Sequence, residues 1–230
     1  MSTQVYIDEK LEKITSKDFI EIRDVVPKRS YKGEKYKSNS KNKKLLIKDF
    51  QNRCAYCNDS DSYTGGYRNY HVEHFAPKEK FPDLEFVYDN LLYSCPYCNI
   101  SKSNKWAGET AEENIKGNEG FIDPCEEEYY KHLKRNSDGE IVGVTELGKY
   151  MYKELKLYLL RHKILFNIDK AYTKANEIDK KIKQLRLNNI NNNEEINKKI
   201  EKLELVRNAL SNEFREYFKL LKEQESYIEG

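Results

Sequence analysis

Two Cys-x-x-Cys pairs, Cys54-Ala-Tyr-Cys57 and Cys95-Pro-Tyr-Cys98, constrain this chain more than any other feature. Each pair presents two sulfurs from one tight turn. Two such turns supply the four thiolates that Zn²⁺ prefers in a closed, tetrahedral structural site. With four protein ligands no position stays open, so this ion is expected to hold the chain rather than do chemistry. It ties the segment before a strand pair to the segment after it. The fifth cysteine, Cys125, has no partner motif and reads as a packed small residue. Met1 to Lys10 contains no apolar region of the secretory kind, and no stretch approaches the roughly 20 apolar residues that span a bilayer. The expected compartment is the cytoplasm, without a membrane. There a reducing environment disfavours disulfides and paired cysteines point to metal.

The chain has 230 residues, 38% hydrophobic and 35% charged, and its mean hydropathy is −0.93. That balance predicts a helix-rich soluble protein. A net charge of +2 rules out a global polycation, so affinity for nucleic acid has to be local. Three regions follow. Residues 1–52 form a basic N-terminal segment with a short helix. Between Lys28 and Lys48 it carries Lys28, Arg29, Lys32, Lys35, Lys37, Lys41, Lys43, Lys44 and Lys48 against one acid, Glu34, with Tyr31 and Tyr36 interleaved. Such a run is either a solvated surface or a track for phosphates. Ser38 to Ser40 reads as a loop, and Leu45, Leu46 and Phe50 predict the helix. Residues 53–125 hold all five cysteines and the single Trp106. Strands are predicted over Tyr70 to Ala76 and Phe86 to Ser94, with a helix opening at Asn99. Residues 126–230 form a connector and a C-terminal helical region. A strand is expected at Ile141 to Val144, then a helical stripe through Leu147, Met151, Leu155, Tyr158, His162 and Leu165. The last helix is expected from Glu194 to Tyr227, capped by Asn192. Its heptad stripe, interrupted by Arg207, predicts an antiparallel hairpin in preference to a dimeric coiled coil.

Between the cysteine pairs lies Tyr70-His-Val-Glu-His-Phe-Ala-Pro77, followed by Asp89-Asn-Leu-Leu-Tyr-Ser-Cys-Pro-Tyr-Cys-Asn-Ile-Ser-Lys102. Hydrolysis of a phosphodiester needs a base that works near neutral pH, and imidazole suits that task. It also needs a hard cation on oxygen ligands to stabilise the phosphate charge. His74 supplies the base; Glu73 and Asn99 supply a carboxylate and an amide. Asn99 directly follows Cys98, so the knuckle fixes where it points. In a hairpin, the end carrying Glu73-His74 is expected beside the start of the following helix, whose N-terminus would favour an anion. His71 shares the Glu73 face of its strand and is a third metal ligand, a phosphate contact or a hydrogen-bonded structural histidine. Trp106 is expected to pack against the zinc module, and His162 to be structural.

These residues resemble the HNH, or ββα-metal, endonuclease family. Its hallmark is an acid followed by His on the first strand, an Asn opening the second, and Cys-x-x-Cys-Asn then Lys at the helix start. Glu73-His74, Asn90, Cys95 to Asn99 and Lys102 fill those positions. The resemblance implies His74 as general base and Glu73 and Asn99 as ligands of a catalytic Mg²⁺ or Mn²⁺. It implies that Asn90 braces the loop and orients the histidine, and that Lys102 contacts a phosphate. Cutting would leave a 5′-phosphate and a 3′-hydroxyl. Glu73 departs from the commoner Asp by one methylene, which bears on the identity of the metal. The fold implied is α+β: a small ββα-metal module with a four-cysteine zinc site, followed by the helical region.

A broader likeness rests on His71 to Lys78, Phe121-Ile-Asp-Pro-Cys125, Asp138-Gly139 and Thr145-Glu-Leu-Gly148. It is similar to bacterial anti-phage HNH proteins, among them the nuclease subunit of Septu systems and retron-associated relatives. That likeness implies a defence role beside a P-loop ATPase partner. The expected substrate is DNA, with RNA the alternative. The rival reading is a catalytically silent zinc-ribbon adaptor that binds nucleic acid or a partner protein.

Overall fold

The computed structural model describes residues 19–189 and 193–226. The readings made above for Met1 to Lys10, Asn192 and Tyr227 lie outside the described residues. The chain forms two compact units, one ending at His162 and one from Lys163.

In the first unit, helix α1 spans Asn39–Asp49. It begins inside the polar stretch expected to be a loop, because Ser38 takes the extended N-cap conformation. Leu46 and Phe50 anchor its inner face and are fully buried. The buried Asn42 donates from Nδ2 to Tyr36 O at 2.9 Å. Strands β1 (His71–His74) and β2 (Leu91–Ser94) pair antiparallel, with His71 opposite Ser94 and His74 opposite Leu91. Both are shorter than the sequence predicted. Asn90 takes the backbone of Ala76 through its side chain, which ends β1, and Tyr88–Asn90 folds as a single 3₁₀ turn ahead of β2. Helix α2 spans Pro96–Lys102 and starts three residues before Asn99. Proline is pre-organised for the first helical position, and Cys95 Sγ accepts from Cys98 N at 3.4 Å as the cap. The register also corrects the expected hairpin geometry. The end of an antiparallel β2 lies beside the start of β1, so α2 opens next to His71 and then runs back toward Glu73 and His74.

A two-residue ladder, β3 (Ile115–Lys116) with β4 (Glu119–Gly120), follows. Helix α3 (Tyr129–His132) leads into the hairpin of β5 (Leu133–Arg135) and β6 (Ile141–Gly143). Ile20 bridges to Arg135 at the edge of that hairpin. Helix α4 covers Glu146–Glu154, capped by Thr145 Oγ1 accepting from Gly148 N at 3.0 Å. The single stripe expected through Leu165 breaks before α5 (Leu160–Asn188). Leu155 and Leu157 are both buried, a spacing of two that no helix face provides, and Lys156 between them has φ 53°.

The core of this unit joins all three sequence regions. Ile22 and Leu46, Tyr56 and Tyr93, Ile141 and Met151 belong to one buried cluster. Its tyrosines keep their hydroxyls satisfied, as buried phenols require. Tyr70 donates to Asp59 O at 2.9 Å, Tyr93 to Asp61 Oδ2 at 2.7 Å and Tyr129 to Tyr56 O at 2.8 Å. Arg29, counted above in the basic run, is turned inward. It holds Asp123 through both Nη atoms and Leu91 O through Nε.

In the second unit, α5 and α6 (Glu194–Ser226) form an antiparallel hairpin. Asn189 Nδ2 meets Asn197 Oδ1, Asp179 meets Arg207 at 3.1 Å, and the Tyr172 and Phe214 rings lie 6.0 Å apart. Asp179 accounts for the arginine within the heptad stripe. The cap of α6 is Asn193, whose Oδ1 accepts from Glu195 N and Ile196 N. Among the described residues no helix is long and apolar enough to cross a membrane.

Glycine is required where α4 meets the β5–β6 hairpin. A Cβ on Gly148 would lie 2.0 Å from His132 O. Gly148→Ala is therefore expected to cost about 1–3 kcal/mol through overpacking. The check is a lower urea midpoint followed by fluorescence of Trp106, the only tryptophan.

Candidate active site and metal centre

Cys54 and Cys57 sit just ahead of β1, and Cys95 and Cys98 at the junction of β2 with α2. Their four Sγ atoms lie within 4.8 Å of one another, and all four residues are buried. Cys57 Sγ and Cys95 Sγ are 3.8 Å apart. A tetrahedral ion with metal–sulfur bonds of about 2.3 Å has sulfur–sulfur edges of about 3.8 Å, so the cage fits zinc. Side chains from distant segments hold the first knuckle in place. Arg23 donates to Cys54 O at 2.8 Å, Tyr129 to Tyr56 O and Arg135 to Cys57 O at 2.7 Å.

Cys57, Asp59 and His162 also gather within ligand distance of one another. That set does not suit a cation. His162 Nδ1 lies 2.5 Å from Asp59 Oδ2, while the Arg135 guanidinium lies 3.8 Å from Asp59 Oδ1 and already supplies the positive charge. His162 is a buried structural residue there.

Beside the cage opens a cavity of about 510 Å³ whose lining includes Glu73, His74 and Asn99, with Asn39, Lys78 and Ser103 around them. Strand alternation divides the dipeptide. Glu73 is buried, and its Oε1 accepts from Lys102 Nζ at 2.8 Å and from Tyr56 Oη at 3.4 Å. His74 is half-buried, with Nε2 at 3.0 Å from Glu85 O. A carbonyl only accepts, so Nε2 carries the hydrogen and the Nδ1 lone pair is left over. Asn99 Nδ2 donates to His71 Nδ1 at 2.9 Å, which leaves the amide oxygen as its acceptor. Asn90 is buried beneath the cleft. Its side chain receives Ala76 N at 2.8 Å and donates to Ala76 O at 3.0 Å and Leu84 O at 3.3 Å. It thereby pins the turn leaving β1 to the segment that carries Glu85.

Lys102 is placed differently from the expected phosphate contact. Its side chain is 0% exposed, and Nζ donates to Glu73 Oε1 and to His74 O at 3.1 Å. Seven residues of helix carry it from the cage back over the hairpin, so its charge is spent inside on the Glu73-His74 dipeptide. Burial raises the Glu73 carboxyl above its ordinary range, and Lys102 opposes part of that rise. Burial also lowers the His74 imidazole, which stays neutral to lower pH than a free histidine. His71 is lowered by burial and then by the charge of Lys43. Trp106 packs edge-on against Phe75 at 5.2 Å and Phe81 at 6.0 Å, on the turn that follows β1. Cys125 is half-buried near Asp123, and burial pushes its thiol up to about 12. Tyr56 was not singled out from the sequence. It lies within the first Cys-x-x-Cys pair, and no local pattern signals its reach to Glu73.

Two short antiparallel strands, a following helix and a four-cysteine cage, with an acid-His dipeptide on the first strand, define an HNH endonuclease domain. Residues 54–105 match the family described as HNH endonuclease. A stretch of 60 residues, 26% of the chain, is 38% identical to the Septu protein PtuB of Bacillus thuringiensis. The chain aligns with 23% of that relative's length. No solved structure matches the chain.

Replacing Lys102 alone strands a buried carboxylate. Lys102→Met is expected to destabilise the first unit by about 3–5 kcal/mol, and the Glu73→Gln, Lys102→Met pair to recover a substantial part. Urea titrations of the single and double variants measure this coupling.

Proposed function

We propose that this chain is a metal-dependent HNH endonuclease acting in anti-phage defence, with DNA as the expected substrate. The observation that carries the reading is the convergence of Glu73, His74 and Asn99 on one cleft, with the His74 Nδ1 lone pair left over. Around the cleft, Glu73 and Asn99 offer oxygen ligands. Both hydrogen bonds to the Glu73 carboxylate land on Oε1, which leaves Oε2 for a cation. One carboxylate with one amide oxygen suits a hard ion that keeps several waters, as Mg²⁺ does. Such an ion, when bound, stabilises charge on the phosphate and on the leaving oxygen.

The residues divide the remaining work. His74 Nδ1 takes a proton from the attacking water. The new bond forms from water oxygen to phosphorus, and the bond from phosphorus to O3′ breaks. A proton then returns to O3′, leaving a 5′-phosphate and a 3′-hydroxyl. The carbonyl of Glu85 holds the imidazole in the tautomer that this step needs. Asn90 fixes that carbonyl's segment, and Lys102 fixes the backbone of His74. The sulfur cage keeps α2, and with it Asn99, in place against β1. The stretch similar to the Septu protein supports the defence role, and action beside a P-loop ATPase partner is part of the same reading.

The purified chain is expected to bind one zinc per molecule and to cut nucleic acid only with added Mg²⁺ or Mn²⁺. His74→Ala is expected to lower cutting by at least about 100-fold, the low end of what a positioned base contributes. Zinc content and Trp106 emission should stay unchanged. Wild-type protein that cuts no DNA or RNA with either ion would establish the silent adaptor instead. Cys98→Ser is expected to lose the zinc and shift Trp106 emission to the red as the module opens.

A further inference from the structure

Helix α1 brings one basic side chain to the rim of the cleft. Lys43 lies four residues after Asn39, a lining residue of the cavity, and so shares its face of the helix. It is half-buried, and its charge reaches His71 on β1. Among the described residues no carboxylate comes within ion-pair distance of it. The carboxylate whose charge acts on it is Asp61, which is itself buried and accepts from Tyr93 Oη at 2.7 Å. Lys43 Nζ instead sits 5.6 Å from the ring centre of Tyr67. That tyrosine stands at the turn Gly66–Arg68 just ahead of β1 and is 53% exposed. Gly65 and Gly66, both at positive φ, allow the turn. Tyr67 adds nothing to the core and is offered to solvent with a cation against it. Lys41, Lys44 and Lys48 lie exposed along the outer side of the same helix, so the helix carries positive charge on both flanks.

We propose that Lys43 and Tyr67 form the entry contact for a single-stranded or locally unpaired substrate. Lys43 takes a phosphate neighbouring the one in the cleft, and the open face of Tyr67 stacks an unpaired base. The identity of the ligand as nucleic acid rests on the nuclease reading above; the contact itself is read from α1 and the turn. An ammonium on a flexible stem suits a mobile phosphodiester, and an exposed aromatic ring beside a positive rim is how single strands are held without sequence preference. This rim lysine takes the phosphate-binding role that the buried Lys102 cannot reach.

The test measures binding of full-length His74→Ala protein, without divalent ions, to a labelled oligothymidylate of about 15 nucleotides and to an abasic strand of the same length. Adding Tyr67→Ala is expected to weaken oligothymidylate binding by about 5- to 100-fold and to leave the abasic strand within about twofold. Tyr67→Phe should keep the affinity. Lys43→Gln is expected to weaken both strands and to reduce the slope of log K against log salt by about 0.7. Equal losses on both strands for Tyr67→Ala, or an unchanged salt slope for Lys43→Gln, would overturn the contact. So would tighter binding of a duplex of the same length. Failure of the nuclease reading shows separately, as a wild-type chain that cuts nothing with Mg²⁺ or Mn²⁺ yet binds the strand with these same losses.

Discussion

Four sulfurs from two distant turns share one buried point, and the rest of the first unit is arranged around that point. Ionised thiolates so close together repel, and none of the four is exposed to water. The charge has to be met from inside. A zinc ion with four thiolates would carry a net charge of −2. Arg23 and Arg135 donate to the carbonyls of Cys54 and Cys57, so two buried guanidiniums stand beside the cage. One comes from the N-terminal segment and the other from the β5–β6 hairpin. These two hydrogen bonds bring residues far away in sequence onto the cage, and the Arg135 charge is shared with Asp59. They also join the basic segment, the nuclease module and the connector, which share one core.

The cleft inherits its precision from the same junction. Helix α2 starts at the cage and is only seven residues long, yet it delivers both Asn99 and Lys102 to β1. Asn99 meets His71 at one end of the strand, and Lys102 meets Glu73 and His74 at the other. A rigid helix held at its N-terminus by two thiolates fixes these positions better than a loop would. Lys102 resolves a conflict that the dipeptide creates. Its acid is placed inward and has to be balanced, while the proposed base role of its imidazole requires that ring to stay neutral and accessible. A buried ammonium on the carboxylate and on the adjacent carbonyl meets the first need without adding a charge at the imidazole ring.

Much of this could be read from residue order. The two cysteine pairs predicted a four-sulfur centre, and the motif between them located the strand that carries Glu73-His74. The hairpin of α5 and α6 followed from the heptad spacing, with Arg207 as its one irregularity. What could not be read was set by contacts across long stretches of chain. Nothing near Arg29 distinguishes it from the lysines around it, yet Asp123 turns it inward. Lys102 stands at a position where an exposed base would serve equally well, and only the return path of α2 shows that it is buried. The strand limits were overestimated because Asn90 ends β1 through a side-chain contact fourteen residues away in sequence. Asn193 caps α6, and the adjacent Asn192 lies outside the described residues.

The cleft is also self-contained. The side-chain hydrogen bonds described on Glu73, His74, Asn90, Asn99 and Lys102 come from partners between Tyr56 and Lys102. Those partners fall inside the span that matches the HNH endonuclease family. The α5–α6 hairpin is held by contacts of its own. Its heptad stripe is spent on its own partner helix, through Asp179 with Arg207 and Tyr172 with Phe214. Helix α1 contributes Asn39 to the lining of the cleft, alongside Lys78 and Ser103. In the proposed contact, Lys43 and Tyr67 would add charge and an aromatic face, and no base or metal ligand. On that reading, holding a strand and cutting it would fall to separate elements that meet near His71, on the strand that carries Glu73 and His74.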